Sequence, residues 1–488
     1  MVNKYIEELK KKKNIHIVGA AGIEGSAIAY FLANLGIENV TLHDFSSKKD
    51  FEESFKSSRD YLTPQKALAA YERLIDAGYK IHFKDNYLKD IEKADLIFIS
   101  QGWFRYESNK KLKCLEGKIP FSSVTELYFK LSPCPIIGIT GTVGKSTTTR
   151  LIYRMLKSCG KKAYISGNDR DNPPVLDRLL NFSKDAYLVL EVSNRQLINL
   201  NYSPHIAVVT NVLPNHPDDH KNFFEYVKVK SNIVAHQKEK DFAILNADNK
   251  EASKFKKLTP AEVFFFSVEK ERKNGAYFKD NIVWLSIGGS KGKLIETKKI
   301  KLPGKHNLLN IMAALLVGQC LKLDKRCIAK TLSDFKGLKH RLEFVAQKNK
   351  ISFYEDSQSS SPYSTTSAIE AFTGKKMILI MGGYRANAKE SDYSQTASNF
   401  FMPQVKAVFL IGRVAPVIQN EYFRQKRTRA HGPDIIRDCQ ILPKAMIEAA
   451  KIASPGDAVV LSPGAESFGE FKDYRERGDK FKNLISEF

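Results

Sequence analysis

The stretch Ile136-Ile137-Gly138-Ile139-Thr140-Gly141-Thr142-Val143-Gly144-Lys145-Ser146-Thr147 restricts this chain more than any other. A short apolar run enters a glycine turn, and Lys145-Ser146 then opens a helix over 146–158. A strand that feeds a helix in this way belongs to a sheet with crossover helices. The turn also has a chemical use. Its backbone N–H groups and the helix N-terminus can hold phosphate oxygens, Lys145 would neutralise charge on a transferring phosphate, and the Ser146 hydroxyl would ligate Mg2+. The spacing Gly141-x-x-Gly144-Lys145-Ser146 is one residue off the usual P-loop count. A glycine-rich turn without a ligand is the competing reading, but Gly-Lys-Ser-Thr at a strand–helix junction is rarely idle.

The same alternation runs through the rest of the chain. Apolar strands are expected at 14–18, 40–43, 94–100, 136–140, 187–191, 206–210, 242–246, 351–354, 377–381, 407–411 and 458–461. Helices are expected at 26–35, 308–321, 362–372 and 442–452. Residues 262–303 read as an antiparallel meander, with Asn274-Gly275 and Gly288-Gly289 as its turns. A chain of 488 residues is too long for one core. The fold class is therefore α/β in three domains, 1–132, 133–338 and 339–488.

Composition excludes several function classes. No run approaches the ~20 continuous apolar residues of a membrane span, so no membrane insertion is expected. Lys10 to Lys13 precede an apolar segment too short for a signal peptide, and a glycine turn follows at once, so this segment reads as a strand. The six cysteines are scattered without a C-x-x-C pair, which suits reduced thiols in a cytoplasmic protein. The net charge of +23 raises nucleic acid as a partner, but the Lys and Arg residues are spread over the whole length. No nucleic-acid partner is expected, and an anionic small molecule would suit the sign.

Two further constellations carry chemistry. Gly19-Ala20-Ala21-Gly22-Ile23-Glu24-Gly25 follows the first strand and Asp44 ends the second, like a dinucleotide fingerprint with its ribose acid. An NAD site, a site for another nucleotide's pyrophosphate, and plain helix–strand packing all remain open; a P-loop downstream makes a nucleotide-linked substrate the most economical. Glu191 and His216 lie at or just past strand ends, the edge that faces the ligand in parallel sheets, so together they could reach a metal at the phosphates.

These residues, in this order, resemble the Mur ligases of peptidoglycan synthesis, and their glutamate-adding branch most closely. The resemblance spans the chain. It takes in Thr140 to Thr147, then Glu191-Val192-Ser193 with Gln196-Leu197, Asn211-Val212 with His216, and Gly304-Lys305-His306-Asn307-Leu308-Leu309-Asn310. It continues through His340-Arg341-Leu342-Glu343, Asp356-Ser357, Leu461-Ser462-Pro463-Gly464-Ala465 with Ser467-Phe468, and Arg477-Gly478.

The resemblance implies an N-terminal Rossmann-like domain for a UDP-linked substrate, a central P-loop ATPase-type domain with a mixed sheet, and a C-terminal Rossmann-like domain for the amino acid. It implies glutamate ligation to UDP-N-acetylmuramoyl-L-alanine through an acyl-phosphate, with D-glutamate favoured, in a cytoplasmic monomer using ATP and Mg2+. Ser146, Glu191 and His216 would hold Mg2+, joined by a carbamylated Lys230, the lysine 14 residues beyond the histidine. Carbamylation turns a cation into a carboxylate suited to a hard metal; Lys228 is the neighbouring alternative. Lys145, His216 and Lys230 would be catalytic. ATP would meet Gly141, Thr142, Gly144, Lys145, Ser146, Thr147, Asn307, Asn310, Arg341 and Asp356. The UDP substrate would meet Gly22, Ile23, Glu24, Gly25, Asp44, Ser100, Gly102 and Asn168, and the amino acid Ser360, Ser467 and Tyr474.

The chain also departs from the family pattern. Val143 stands where asparagine is usual, Asp169-Arg170 follow Gly167-Asn168 in place of Ile-Gly, and Gln358 replaces a lysine. The segment Gly382-Gly383-Tyr384-Arg385-Ala386 lacks the lysine that grips glutamate, unless Arg385 or Lys389 replaces it. Competing readings are an L-glutamate-adding variant, another Mur ligase, folylpolyglutamate synthetase (which lacks the UDP domain), and a non-catalytic nucleotide-binding regulator.

Overall fold

Residues 2–168, 171–214, 219–302, 304–372, 374–385, 388–429 and 431–487 are described by a computed structural model. Their strands form three sheets of 5, 9 and 6 strands. The first contains β1 (Ile15–Val18), β2 (Val40–His43), β3 (Lys80–His82), β4 (Leu96–Phe98) and β5 (Phe121–Ser122) in the order β3-β2-β1-β4-β5. Every pairing in it is parallel. The order reverses between β1 and β4, so the turns after these two strands open one crevice, where ligands of doubly wound sheets bind. Helices Lys48–Ser57 and Pro64–Asp76 connect β2 to β3. Their starts are set locally, since Ser47 and Thr63 accept hydrogen bonds from the N–H of Asp50 and Lys66.

The second sheet holds β6 (Ile136–Thr140), β7 (Ala163–Gly167), β8 (Tyr187–Glu191), β9 (Ile206–Val209), β10 (Phe242–Asn246), β11 (Glu262–Ser267), β12 (Gly275–Lys279), β13 (Ile282–Ile287) and β14 (Ser290–Glu296). Its order is β14-β13-β12-β11-β10-β9-β6-β8-β7, with β6 inside the sheet and every residue of β6 buried. The expected meander over 262–303 needs correction. β11 pairs in parallel with both β10 and β12, and antiparallel pairing begins only at β12–β13. Gly275 is not a hairpin turn. It opens β12 with φ of +151°, where a Cβ would stand 1.7 Å from the Phe265 carbonyl oxygen, so glycine is needed for strand approach. The reversal falls on Asp280-Asn281, both at positive φ (51° and 58°) as a two-residue type I′ hairpin requires. Gly288-Gly289 does link β13 to β14.

The third sheet comprises β15 (Glu343–Lys348), β16 (Ile351–Glu355), β17 (Met377–Gly382), β18 (Val405–Ile411), β19 (Ile435–Gln440) and β20 (Ala458–Leu461) in the order β15-β16-β20-β17-β18-β19. It is parallel apart from the antiparallel edge strand β15. The chain is α/β throughout, with two Rossmann-like sheets flanking a mixed P-loop sheet in sequence.

The chain divides into two compact units, 1–295 with 309–332, and 296–308 with 333–488. In the first unit one buried apolar cluster runs from Leu9 and Ile17 through Tyr128 and Leu188 to Val209 and Phe255, so the first two sheets share a core. The same unit corrects the expectation of reduced thiols throughout. Cys159, at the end of helix Lys145–Ser158, is disulfide-bonded to Cys327 in helix Lys325–Asp334. A pair 168 residues apart in sequence leaves no spacing signal, and only folding brings its Cα atoms to 5.8 Å.

Candidate active site

β6 delivers its glycine turn to the C-terminal edge of the central sheet, between β8 and β9. Gly144 caps the following helix at φ of +86°, and a Cβ there would meet Asn310 Oδ1 at 2.4 Å. Asn211, just past β9, holds the turn from outside. Its Oδ1 accepts from the N–H of Thr142 at 3.1 Å and of Val143 at 3.0 Å, while its Nδ2 donates to the Val143 carbonyl at 3.0 Å. Thr210 Oγ1 donates to the same carbonyl at 2.7 Å. Lys145 Nζ donates to the carbonyls of Gly141 and Thr142 at 3.0 and 3.1 Å. Ser146 and Thr147 are buried in the first helical turn, and Asn310 accepts from Thr148 Oγ1 at 3.2 Å.

Glu191 ends β8 beside this turn. Its carboxylate is buried and Oε2 has no hydrogen-bond partner among the described residues, while Oε1 lies 3.5 Å from Asn168 Nδ2. Lys230, on helix Phe223–Ala235, is 1% exposed, whereas Lys228 is exposed. Lys230 Nζ reaches the Gly141 carbonyl at 3.1 Å and lies 5.0 Å from the Tyr226 ring centroid. Burial drives its amine well below the usual lysine range, Lys145 adds to the shift and Glu191 opposes it. An orphaned buried carboxylate oxygen next to a phosphate-type turn fits a divalent cation, and Ser146, Glu191 and Lys230 are the described residues that could hold one. His216 lies outside the described residues, as do Asp169, Arg170 and Ala386.

A second group forms at the β1/β4 crevice. A Cβ on Gly19 would lie 3.6 Å from Ser100 Oγ, so the Gly22-to-Gly25 turn and the Ser100-to-Gly102 turn are neighbours. Asp44 is buried. Its Oδ2 accepts from Ala21 N–H at 2.7 Å and Oδ1 from Ser46 N–H at 2.9 Å, so the acid braces the glycine turn. The Glu24 carboxylate is turned inward, accepting from Gln101 N–H at 2.7 Å and from Gln196 Nε2 at 3.2 Å. Glu24, Gln101 and Gln196 border a cavity that Ser100, Gly102 and Arg195 also line.

The second unit holds Asn307, Arg341, Asp356, Ser360, Ser467 and Tyr474. Asp356, just past β16, is buried and pushed up to about 6 by that burial. It accepts from Leu342 N–H at 2.9 Å and from the hydroxyls of Ser359 and Ser462 at 2.5 and 2.8 Å. Ser360 is exposed, Ser467 is buried, and the Tyr474 ring lies edge-on to His340 at 5.7 Å. His340, Glu343 and Glu355 cluster as metal ligands would, yet Lys482 already sits 2.8 Å from Glu343 and His340 Nδ1 is 2.6 Å from Glu355, which makes an ion-pair network.

The residues that sequence reasoning did not place in the site are Asn211 as the clasp of the turn, and Ser193 with Gln101 as partners around Glu24. Ser193-x-x-Gln196 was readable as a capping box, and the structure forms it.

Residues 139–318 match the Mur ligase middle domain, and residues 340–464 match the Mur ligase glutamate ligase domain. The chain is 34% identical over 490 residues to the UDP-N-acetylmuramoylalanine–D-glutamate ligase of Acetivibrio thermocellus, covering 99% of both chains. The chain belongs to the Mur ligase family. Another Mur ligase, the UDP-N-acetylmuramoylalanine–D-glutamate ligase of a Thermoanaerobacter species (strain X514), is 33% identical over 481 residues, covering 98% of this chain and 99% of its own. The Mur ligase fold extends to solved structures of much lower identity. MurF of Acinetobacter baumannii superposes with a TM-score of 0.61 at 13% identity, covering 99% of this chain and 97% of its own. The UDP-N-acetylmuramate–alanine ligase of Thermotoga maritima gives 0.57 at 17%, covering 97% and 99%. As a Mur ligase the chain is an ATP-dependent amide ligase of a family that uses Mg2+. No helix among the described residues is long and apolar enough to cross a membrane.

Proposed function

We propose that the chain joins D-glutamate to UDP-N-acetylmuramoyl-L-alanine at the expense of ATP, in the cytoplasm and as a monomer, during assembly of the peptidoglycan precursor. The observation that carries this reading is the turn Gly141 to Lys145, clasped by Asn211, with the orphaned carboxylate of Glu191 and the buried amine of Lys230 beside it. The names of full-length relatives supply the substrates.

In this reading the N-terminus of helix Lys145–Ser158 and the Lys145 amine hold the β- and γ-phosphates, and Lys145 swings from its loop carbonyls to the γ-phosphate as charge develops there. The alanine carboxylate attacks phosphorus, ADP leaves, and the glutamate amine displaces phosphate from the acyl-phosphate. Mg2+ would supply charge neutralisation at the phosphates, held by Ser146, Glu191, His216 and the carbamate of Lys230. Lys230 suits carbamylation because the fold buries its amine next to a second lysine, whereas Lys228 faces solvent. Asn307, Asn310, Arg341 and Asp356 would serve the nucleotide, and Gly22, Ile23, Gly25, Asp44, Ser100, Gly102 and Asn168 the UDP substrate. Ser360, Ser467 and Tyr474 would border the amino acid, with Arg385 or Lys389 facing its carboxylates.

The test is ADP release with ATP, UDP-N-acetylmuramoyl-L-alanine and each amino acid in turn, D- and L-glutamate side by side. Release that needs D-glutamate supports the reading. Release with L-glutamate alone reassigns the stereochemistry, and release that needs neither the muramoyl substrate nor an amino acid makes the protein a nucleotide switch instead.

A further inference from the structure

The short helix Asn194–Leu197 begins three residues beyond Glu191, and its N-terminus is fastened to the first sheet. Ser193 caps it. Ser193 Oγ also donates to Gln101 Oε1 at 2.8 Å, and Gln101 N–H donates to Glu24 Oε2 at 2.7 Å. Gln196 Nε2 donates to Glu24 Oε1 at 3.2 Å, while Gln196 Oε1 accepts from Ser193 N–H at 3.0 Å. The ring of bonds closes on itself. It links the glycine turn after β1, the turn after β4 and the segment after β8. Glu24 is 6% exposed and its carboxylate spends both oxygens on protein donors, although it stands in the turn expected to meet a diphosphate. An anion aimed at a diphosphate would repel it, so a carboxylate in this turn needs another use.

We propose that Glu24 is a positioning residue, clamping the crevice of the UDP-linked substrate to the strand end that carries Glu191. The clamp fixes two separately built surfaces in one register, so that a carboxylate delivered from the crevice arrives at the phosphate turn in line. Glu24 does this through Gln196 and Gln101 and touches no substrate itself. The inference rests on the function proposed above.

A reciprocal exchange tests it. Glu24→Gln alone sets two amide NH2 groups against each other, and Gln196→Glu alone sets two carboxylates against each other; each should lower kcat about tenfold while leaving the KM for ATP unchanged. The double variant Glu24→Gln/Gln196→Glu restores every bond. The amide oxygen at position 24 accepts from Gln101 N–H, and its NH2 donates to the carboxylate at position 196, whose other oxygen accepts from Ser193 N–H. Its kcat should return to within about threefold of wild type. If Glu24 contacts the substrate, the exchange fails to rescue and calorimetric affinity for UDP-N-acetylmuramoyl-L-alanine falls with Glu24→Gln; either result overturns the proposal. Wild-type activity in the same assay separates this outcome from failure of the assigned function. Should one single variant not fold, the other, measured with the double variant, decides.

Discussion

Lys145 and Lys230 both point amines at the Gly141 carbonyl, from opposite sides in sequence, and their environments give them different work. Lys145 is half-buried at the first helical residue, where a cation can follow a phosphate. Lys145→Ala should lower substrate-dependent ADP release by at least about a hundredfold, as loss of one transition-state donor does; normal release would displace the site from this turn. Lys230 is buried beside a second lysine, Lys145, a poor place for a charged ammonium and a good one for an amine that takes up CO2. Lys230→Ala should be inactive and partly restored by short carboxylic acids, whereas Lys228→Ala should keep its activity. Full activity of Lys230→Ala would remove the carbamate.

Between residue and molecule, the working part is a turn held by its neighbours. Asn211 braces the glycine turn with three side-chain hydrogen bonds of 3.0 to 3.1 Å, beside those of Thr210 and Lys145. Asn211→Ala removes all three and loosens the turn while leaving β9 intact. We expect the KM for ATP to rise about tenfold, matching roughly 1.4 kcal/mol of lost preorganisation. An unchanged KM would show that the turn keeps its shape alone. The segment after β8 follows the same rule, since its short helix is fixed by the capping box and by Glu24.

On the scale of the whole molecule, the first sheet carries a pH-sensitive centre. His16, His43 and His82 lie buried on adjacent strands β1, β2 and β3, with stacked rings 5.0 and 5.3 Å apart. His16 Nδ1 and His43 Nε2 are 2.8 Å apart. Burial first, then the neighbouring imidazoles, lowers His16 to about 4 and His43 to about 3, with Lys80 also lowering both; burial and Lys80 lower His82. Asp90 and Glu92 partly offset the shift at His16. The His16 and His43 imidazoles stay neutral in the fold down to pH values at which unfolded histidine, near 6.5, is protonated. The stability tied to neutrality is therefore complete above pH 6.5 and falls as pH drops toward 4, by up to about 1.4 kcal/mol per pH unit for each group. Urea unfolding between about pH 7.5 and about pH 5 should show this slope, and His43→Leu should reduce it. An unchanged slope in that variant would assign the acid sensitivity elsewhere.

Elements whose information is local can be read directly from the order of residues. Strands β2, β6, β8, β10 and β20 and helix Leu442–Ile452 lie where apolar runs and turn residues put them. The phosphate-type turn was legible for the same reason, because Gly144-Lys145-Ser146 at a strand end is a contiguous signal. The parallel pairing of β11 with β12 was not legible, since Gly275 reads as a turn residue until the Phe265 carbonyl lies against it. Tertiary structure alone decided the partnerships across long separations: Cys159 with Cys327, Asn211 with the turn at 142–143, and Glu24 with Gln196. A side chain's type and spacing state what it can bond, and only the folded backbone, by bringing distant segments within a few ångströms, selects which of those bonds forms.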